Sequence, residues 1–206
     1  PAIALMALVS SCSHNDEPTP TPNKPTEKAF KGIIFATGIT NPEGNSASVY
    51  MQNLPDMVPG NYDNSNAIPV GFGTVPIVAK SGNIYVLPDY MGNTKAEIAC
   101  YRLYADGKWQ KKGTMQIPPK AAACCVVELN SEKAYISLQG LGTVIVFNPT
   151  TMTRIAEIDL NGLKQADTNV SPASMVIRDD KLFIGLNQMN AQYMPTRNNI
   201  ELAMID

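Results

Sequence analysis

The chain has 206 residues, with 16 basic and 18 acidic side chains, a net charge of −2 and a single histidine, His14. Its longest basic run is Lys111-Lys112, so it lacks the concentrated cationic face that phosphate backbones require, and nucleic acid is excluded as the expected partner. With 16 prolines and 14 glycines, the composition is that of a chain built largely of turns and short elements.

The chain opens on an apolar run, Pro1 to Val9, too short to span a bilayer, followed by Ser10-Ser11-Cys12. Leu8-Val9-Ser10-Ser11-Cys12 resembles the lipobox of bacterial lipoproteins. In such signals the matching cysteine, here Cys12, becomes the lipidated first residue of the mature protein. An apolar N-terminal strand with an incidental cysteine is the competing reading. There is no initiating Met and no charged leader, so residues 1–12 are expected to be a signal remnant. Residues 13–29 hold four prolines among polar and charged residues, and such a segment buries too little surface to order itself, so a disordered tether is expected. Asp16 and Glu17 behind the cysteine resemble the surface-export signals of Bacteroidetes lipoproteins. These features imply attachment to the bacterial outer membrane or cell surface through N-terminal acyl chains, with a periplasm-facing orientation left open.

Residues 30–206 carry the strand pattern. A motif of turn, Lys or Asn, aromatic and aliphatic recurs at Gly82-Asn83-Ile84-Tyr85-Val86, at Glu132-Lys133-Ala134-Tyr135-Ile136 and at Asp180-Lys181-Leu182-Phe183-Ile184. The aromatic steps from Tyr85 to Tyr135 to Phe183, intervals of 50 and 48 (135 − 85 and 183 − 135). Lys31 to Phe35 is a candidate earlier copy. A third strand is expected after each copy, at Ala47–Met51, Glu97–Leu103, Thr143–Phe147 and Ile200–Ile205. The clearest unit lies between Ala121 and Gly162. It divides into the runs Ala123–Leu129, Ala134–Leu138, Thr143–Phe147 and Arg154–Leu160, rich in β-branched residues and separated by turn formers such as Asn148-Pro149-Thr150-Thr151. Four antiparallel strands in about forty residues form the unit that repeats radially in a β-propeller. The fold expected is therefore all-β, a propeller of four-stranded antiparallel blades, with a two-sheet sandwich as the competing arrangement. About four blades are accounted for and the last run stops within a blade, so the chain is expected to be a C-terminally incomplete piece of a seven- or eight-bladed propeller.

Chemistry is sparse along the chain. His14 lies in the tether, so histidine-dependent triads and metal sites are not expected in the domain. No phosphate-binding glycine motif is present, and no cofactor or metal is expected. Of the three cysteines in the domain, Cys100, Cys124 and Cys125, the vicinal pair Cys124 and Cys125 is read as small core residues, although export leaves a Cys100–Cys124 disulfide open. The carboxylates Asp89, Glu97, Glu128, Asp159, Asp167, Asp179 and Glu201 are scattered, with no spacing that shows two converging across a cleft. Asp63-Asn64-Ser65-Asn66 reads as an Asx-rich turn rather than a calcium loop. The segment from Gln188 to Asn199 is longer than a hairpin needs. With the loop at Asp89-Tyr90-Met91 it offers Tyr90, Tyr193 and Arg197 as ligand-binding candidates for an anionic or aromatic molecule.

The phrases Lys133-Ala134-Tyr135-Ile136-Ser137, Gly142 to Thr151 and Ile155-Ala156-Glu157-Ile158-Asp159-Leu160 resemble YVTN/YncE-type propeller repeats. Phe147-Asn148 stands where the usual phrase has Ile-Asp. With the lipobox and tether, the resemblance implies a Bacteroidetes cell-envelope lipoprotein. Relatives of that kind accompany TonB-dependent outer-membrane receptors, some of which take up iron–siderophore complexes. The expectation is thus a non-enzymatic, lipid-anchored propeller that captures a ligand or binds a partner protein, an outer-membrane receptor among them. A carboxylate-dependent glycan hydrolase or lyase is the competing reading.

Overall fold

The computed structural model describes residues 32–40, 46–55, 67–70, 74, 76–88, 96–104, 108–165, 168–192, 194 and 201–206. The described strands are β1 (Gly32–Thr40), β2 (Ser46–Pro55), β3 (Ile68–Pro69), β4 (Pro76–Val78), β5 (Ile84–Val86), β6 (Glu97–Leu103) and β7 (Trp109–Gln116). They continue with β8 (Ala123–Glu128), β9 (Ala134–Leu138), β10 (Thr143–Asn148), β11 (Thr153–Asp159), β12 (Pro172–Arg178), β13 (Lys181–Leu186) and β14 (Glu201–Ile205). A single 3-10 turn, Asn161–Leu163, is the only helical element among the described residues.

The strands form four sheets in sequence, ordered β1-β2-β3, β4-β5-β6-β7, β8-β9-β10-β11 and β12-β13-β14, with every pairing antiparallel. This is the blade build of a β-propeller, and the third sheet is the unit expected between Ala121 and Gly162. Its turns follow from their residues. Asn130 Oδ1 accepts from the backbone N–H of Glu132 and Lys133, and Asn148 Oδ1 does the same for Thr150 and Thr151, each an Asx turn that reverses the chain. Asp179 and Asp180 both hold positive φ (51° and 61°), as a two-residue hairpin link between β12 and β13 requires.

Packing explains why the middle strands are apolar on both faces. All five residues of β9 are buried, as are the first five of β10, whereas β11 is almost wholly exposed. With the period of two in a strand, one face of the third sheet meets the second sheet and the other meets the fourth. Ala134, Ile136, Leu138, Ile145 and Phe147 cluster with Tyr85, Ile98, Cys100 and Met115. Tyr135, Val144 and Val146 cluster with Met175, Leu182, Ile184 and Ala203. Each fully buried aliphatic or aromatic side chain contributes about 1.5–3 kcal/mol. The rings of Tyr85 and Phe147 meet edge to face, centroids 5.8 Å apart and planes at 88°.

The cysteines depart from expectation. Cys100 is buried, but Cys124 is exposed and Cys125 only half-buried, and all three are free thiols. The cause is a β-bulge: the β8–β9 register steps from Ala123↔Leu138 to Cys125↔Ser137, which leaves Cys124 unpaired and turned outward.

Candidate functional site

Where the second and third sheets meet, near the ends of the first strand in each sheet, a polar cluster crosses the apolar interface. Glu128 ends β8, while Asn83 and Tyr85 come from the turn before β5 and from β5 itself. The Tyr85 hydroxyl donates to Glu128 Oε1 at 2.5 Å, and Asn83 Nδ2 donates to the same oxygen at 2.8 Å. Arg102, on β6, donates from Nε to Asn83 Oδ1 at 3.2 Å. Asn83 is itself fixed through its backbone, its carbonyl accepting from Ala79 N–H at 2.8 Å and its N–H donating to Ser81 Oγ at 3.2 Å. Tyr85 is fully buried and Asn83 nearly so. A charged oxygen at the edge of an apolar interface is tolerable because these donors satisfy it.

The electrostatics follow from the placement. Burial, then the hydrogen bond and charge of Glu128, push the Tyr85 hydroxyl well above its ordinary value. Tyr85 therefore stays a donor. Burial and then the Glu128 charge push the Cys100 thiol up to about 11, partly offset by Lys112, so this cysteine is a packing residue and not a nucleophile.

Glu128 opens onto a cavity of about 710 Å³, within the size range of small-molecule sites. The first strands of three sheets supply its apolar lining, including Val78, Val126 and Val176, and its charged lining is Lys80, Arg102, Lys112 and Glu128. Both hydrogen bonds to Glu128 fall on Oε1. Oε2 accepts none from the described residues. Such a site can accept hydrogen bonds from hydroxyls at Oε2 and attract negative charge to its cations.

The sequence-based candidates fare differently. Cys12, Tyr90, Tyr193 and Arg197 all lie outside the described residues. The start of the long segment is a brace rather than a loop: Gln188 is buried, donates to Glu201 Oε2 at 2.7 Å and to the Leu163 carbonyl at 3.1 Å, and accepts from Thr168 Oγ1 at 2.8 Å. Of the scattered carboxylates that are described, Glu97 bonds Gln116, Asp159 bonds Asn161, Asp179 faces Arg178 and Glu201 holds Gln188. Glu128 is the only carboxylate among the described residues lining the cavity. Lys80 and Arg102 carried no signal in the sequence, while Asn83 entered only as the polar position of the repeat motif and Lys112 only as half of a two-residue basic run. Tyr85 was visible only as a repeat aromatic, and its hydroxyl, lacking in Phe183, was the one hint of a polar partner.

No protein-family model and no curated protein matches the chain. Among solved structures it is similar to a protein of unknown function from Bacteroides caccae, at 12% identity and TM-score 0.47, covering 83% of this chain and 64% of that one. It is also similar to virginiamycin B lyase from Staphylococcus aureus, at 12% identity and TM-score 0.40, covering 82% and 55%. A third is glutaminyl cyclase from Myxococcus xanthus, at 16% identity and TM-score 0.39, covering 84% and 75%. The chain spans less than two thirds of the length of the first two. These similarities concern fold, and carry no reaction across. They do overturn the expectation of a protein without enzymatic activity, since enzymes stand among the chains of this build. That expectation rested on the missing domain histidine, and a tyrosine–carboxylate cluster is chemistry that it did not weigh.

Proposed function

We propose that this chain is a cell-envelope β-propeller that binds a small hydroxylated molecule in the cavity beside Glu128. The observation that carries the reading is the Glu128 carboxylate, gripped on one oxygen by Tyr85 and Asn83 at the cavity wall. A carboxylate oriented by its neighbours loses little freedom when it accepts a ligand hydroxyl, which is how a few fixed polar groups give an apolar-lined pocket its specificity. Tethering at Cys12 would present the cavity at the membrane surface, the arrangement suited to delivering a captured molecule to a TonB-dependent receptor. In a thermal-shift titration with D-glucose and D-glucuronate, at least one sugar is expected to raise the Tm saturably in the parent and not in Glu128→Gln. A shift of equal size in both proteins would remove Glu128 from the site.

A second reading, lyase chemistry, is supported by the placement of one carboxylate and three cations on the same cavity. A base that removes a proton beside a carboxylate group needs nearby positive charge to hold the enolate that forms. New ultraviolet absorbance from a conjugated double bond, on incubation with uronate-containing glycans, tests it. The two-carboxylate hydrolase gains no such support.

A further inference from the structure

We infer that the ligand of this cavity is an anion, a small hydroxylated carboxylate in preference to a neutral sugar. The inference rests on the cavity reading above and adds the charge of its occupant. The chain as a whole is slightly acidic, yet Lys80 and Lys112 line the cavity together with Arg102, and Glu128 is the one carboxylate among the described residues that line it. Four cations elsewhere in the described structure are paired: Lys111 with Glu97, Arg154 with Glu157, Arg178 with Asp179 and Lys181 with Asp206. Lys80 and Lys112 make no ion pair with the described residues.

The placement of Lys112 is a built feature of β7. The β6–β7 register steps from Cys100↔Gly113 to Tyr101↔Lys111, so Lys112 is the extra residue of a bulge. A bulge re-aims the side chain it carries. Lys111 pairs across the strand with Glu97 at 3.9 Å, while Lys112 lines the cavity. Arg102 is oriented by Asn83, which also holds Glu128, so one amide sets both a cationic and an anionic group of the site. A concave wall concentrates the field of such charges more than a flat surface does. A hydroxylated carboxylate fits both signs, its acid group meeting the cations and a hydroxyl meeting Glu128 Oε2.

The test is calorimetric titration of the 206-residue chain with D-glucuronate and with D-glucose at low and high salt. Glucuronate is expected to bind about tenfold more tightly than glucose at low salt, with the gap narrowing as salt screens the cations. Lys80→Met and Lys112→Met are each expected to weaken glucuronate about threefold, a scale typical of exposed charges, and to leave glucose and the Tm unchanged. Equal binding of the two sugars, both lost in Glu128→Gln, overturns the anionic inference and keeps the cavity. Glucuronate binding that is insensitive to both lysine variants overturns it also. Absence of binding by either sugar overturns the inference and the cavity reading together.

Discussion

The third and fourth sheets carry the same face with opposite fates. Through the strand registers, Val127, Tyr135 and Val146 align across β8, β9 and β10, as Val176, Phe183 and Met204 align across β12, β13 and β14. Tyr135, Val144 and Val146 are at most 6% exposed, whereas Val176, Leu202 and Met204 are 58, 63 and 52% exposed. The residue types scarcely differ. What differs is that Met175, Leu182, Ile184 and Ala203 of the fourth sheet cover the third, while no described residues cover the fourth. Burial in this build belongs to a pair of neighbouring sheets, and strand pattern alone states only which faces are suited to stacking.

The comparison breaks or sharpens under substitution. Phe147→Ala, at the fully buried second–third sheet interface, is expected to cost about 3–5 kcal/mol in urea denaturation. Tyr85→Phe, which removes one of the two donors to Glu128, is expected to cost about 1 kcal/mol in the same assay. Leu202→Ala and Met204→Ala on the open face are each expected to stay within about 0.5 kcal/mol of the parent. A cost from Met204→Ala matching that from Val146→Ala would mean that the fourth-sheet face is covered in solution and that the contrast fails.

The interface also sets an alkaline limit. The Cys100 thiol is raised from 9.0 to about 11 and Tyr85 is raised from 10.0, so below about pH 9 folded and unfolded chains hold these protons equally. Above that the unfolded chain binds fewer protons than the folded one, and stability falls as pH rises. The Tm is expected to decline between pH 9 and 11, and less steeply in Cys100→Ala than in the parent. Parallel declines would show that the buried thiol plays no part.

The blades were legible because strand identity is local. The Ala121–Gly162 unit and the Tyr85, Tyr135 and Phe183 spacing needed only residue types and turn chemistry. The site was not legible, because it is assembled across sheets: Tyr85 and Glu128 stand 43 positions apart and Asn83 and Glu128 45. Two bulges also defeat strict alternation, one exposing Cys124 and the other turning Lys112 from the face it would share with its strand neighbours. Gln188 read as the start of a binding loop because its burial depends on Thr168, Leu163 and Glu201, partners that no local pattern names.

The central claim is that Asn83 and Tyr85 orient Glu128 to meet a ligand at the cavity wall. The most direct measurement is a residue-specific NMR titration of the chain with D-glucuronate, followed through backbone amides and the Glu128 side-chain carboxyl carbon. Saturable shifts confined to Lys80, Asn83, Arg102, Lys112 and Glu128 and their neighbours, absent in Glu128→Gln, are the predicted result. Saturable shifts that cluster elsewhere, with the Glu128 carboxyl carbon unmoved, would contradict the account.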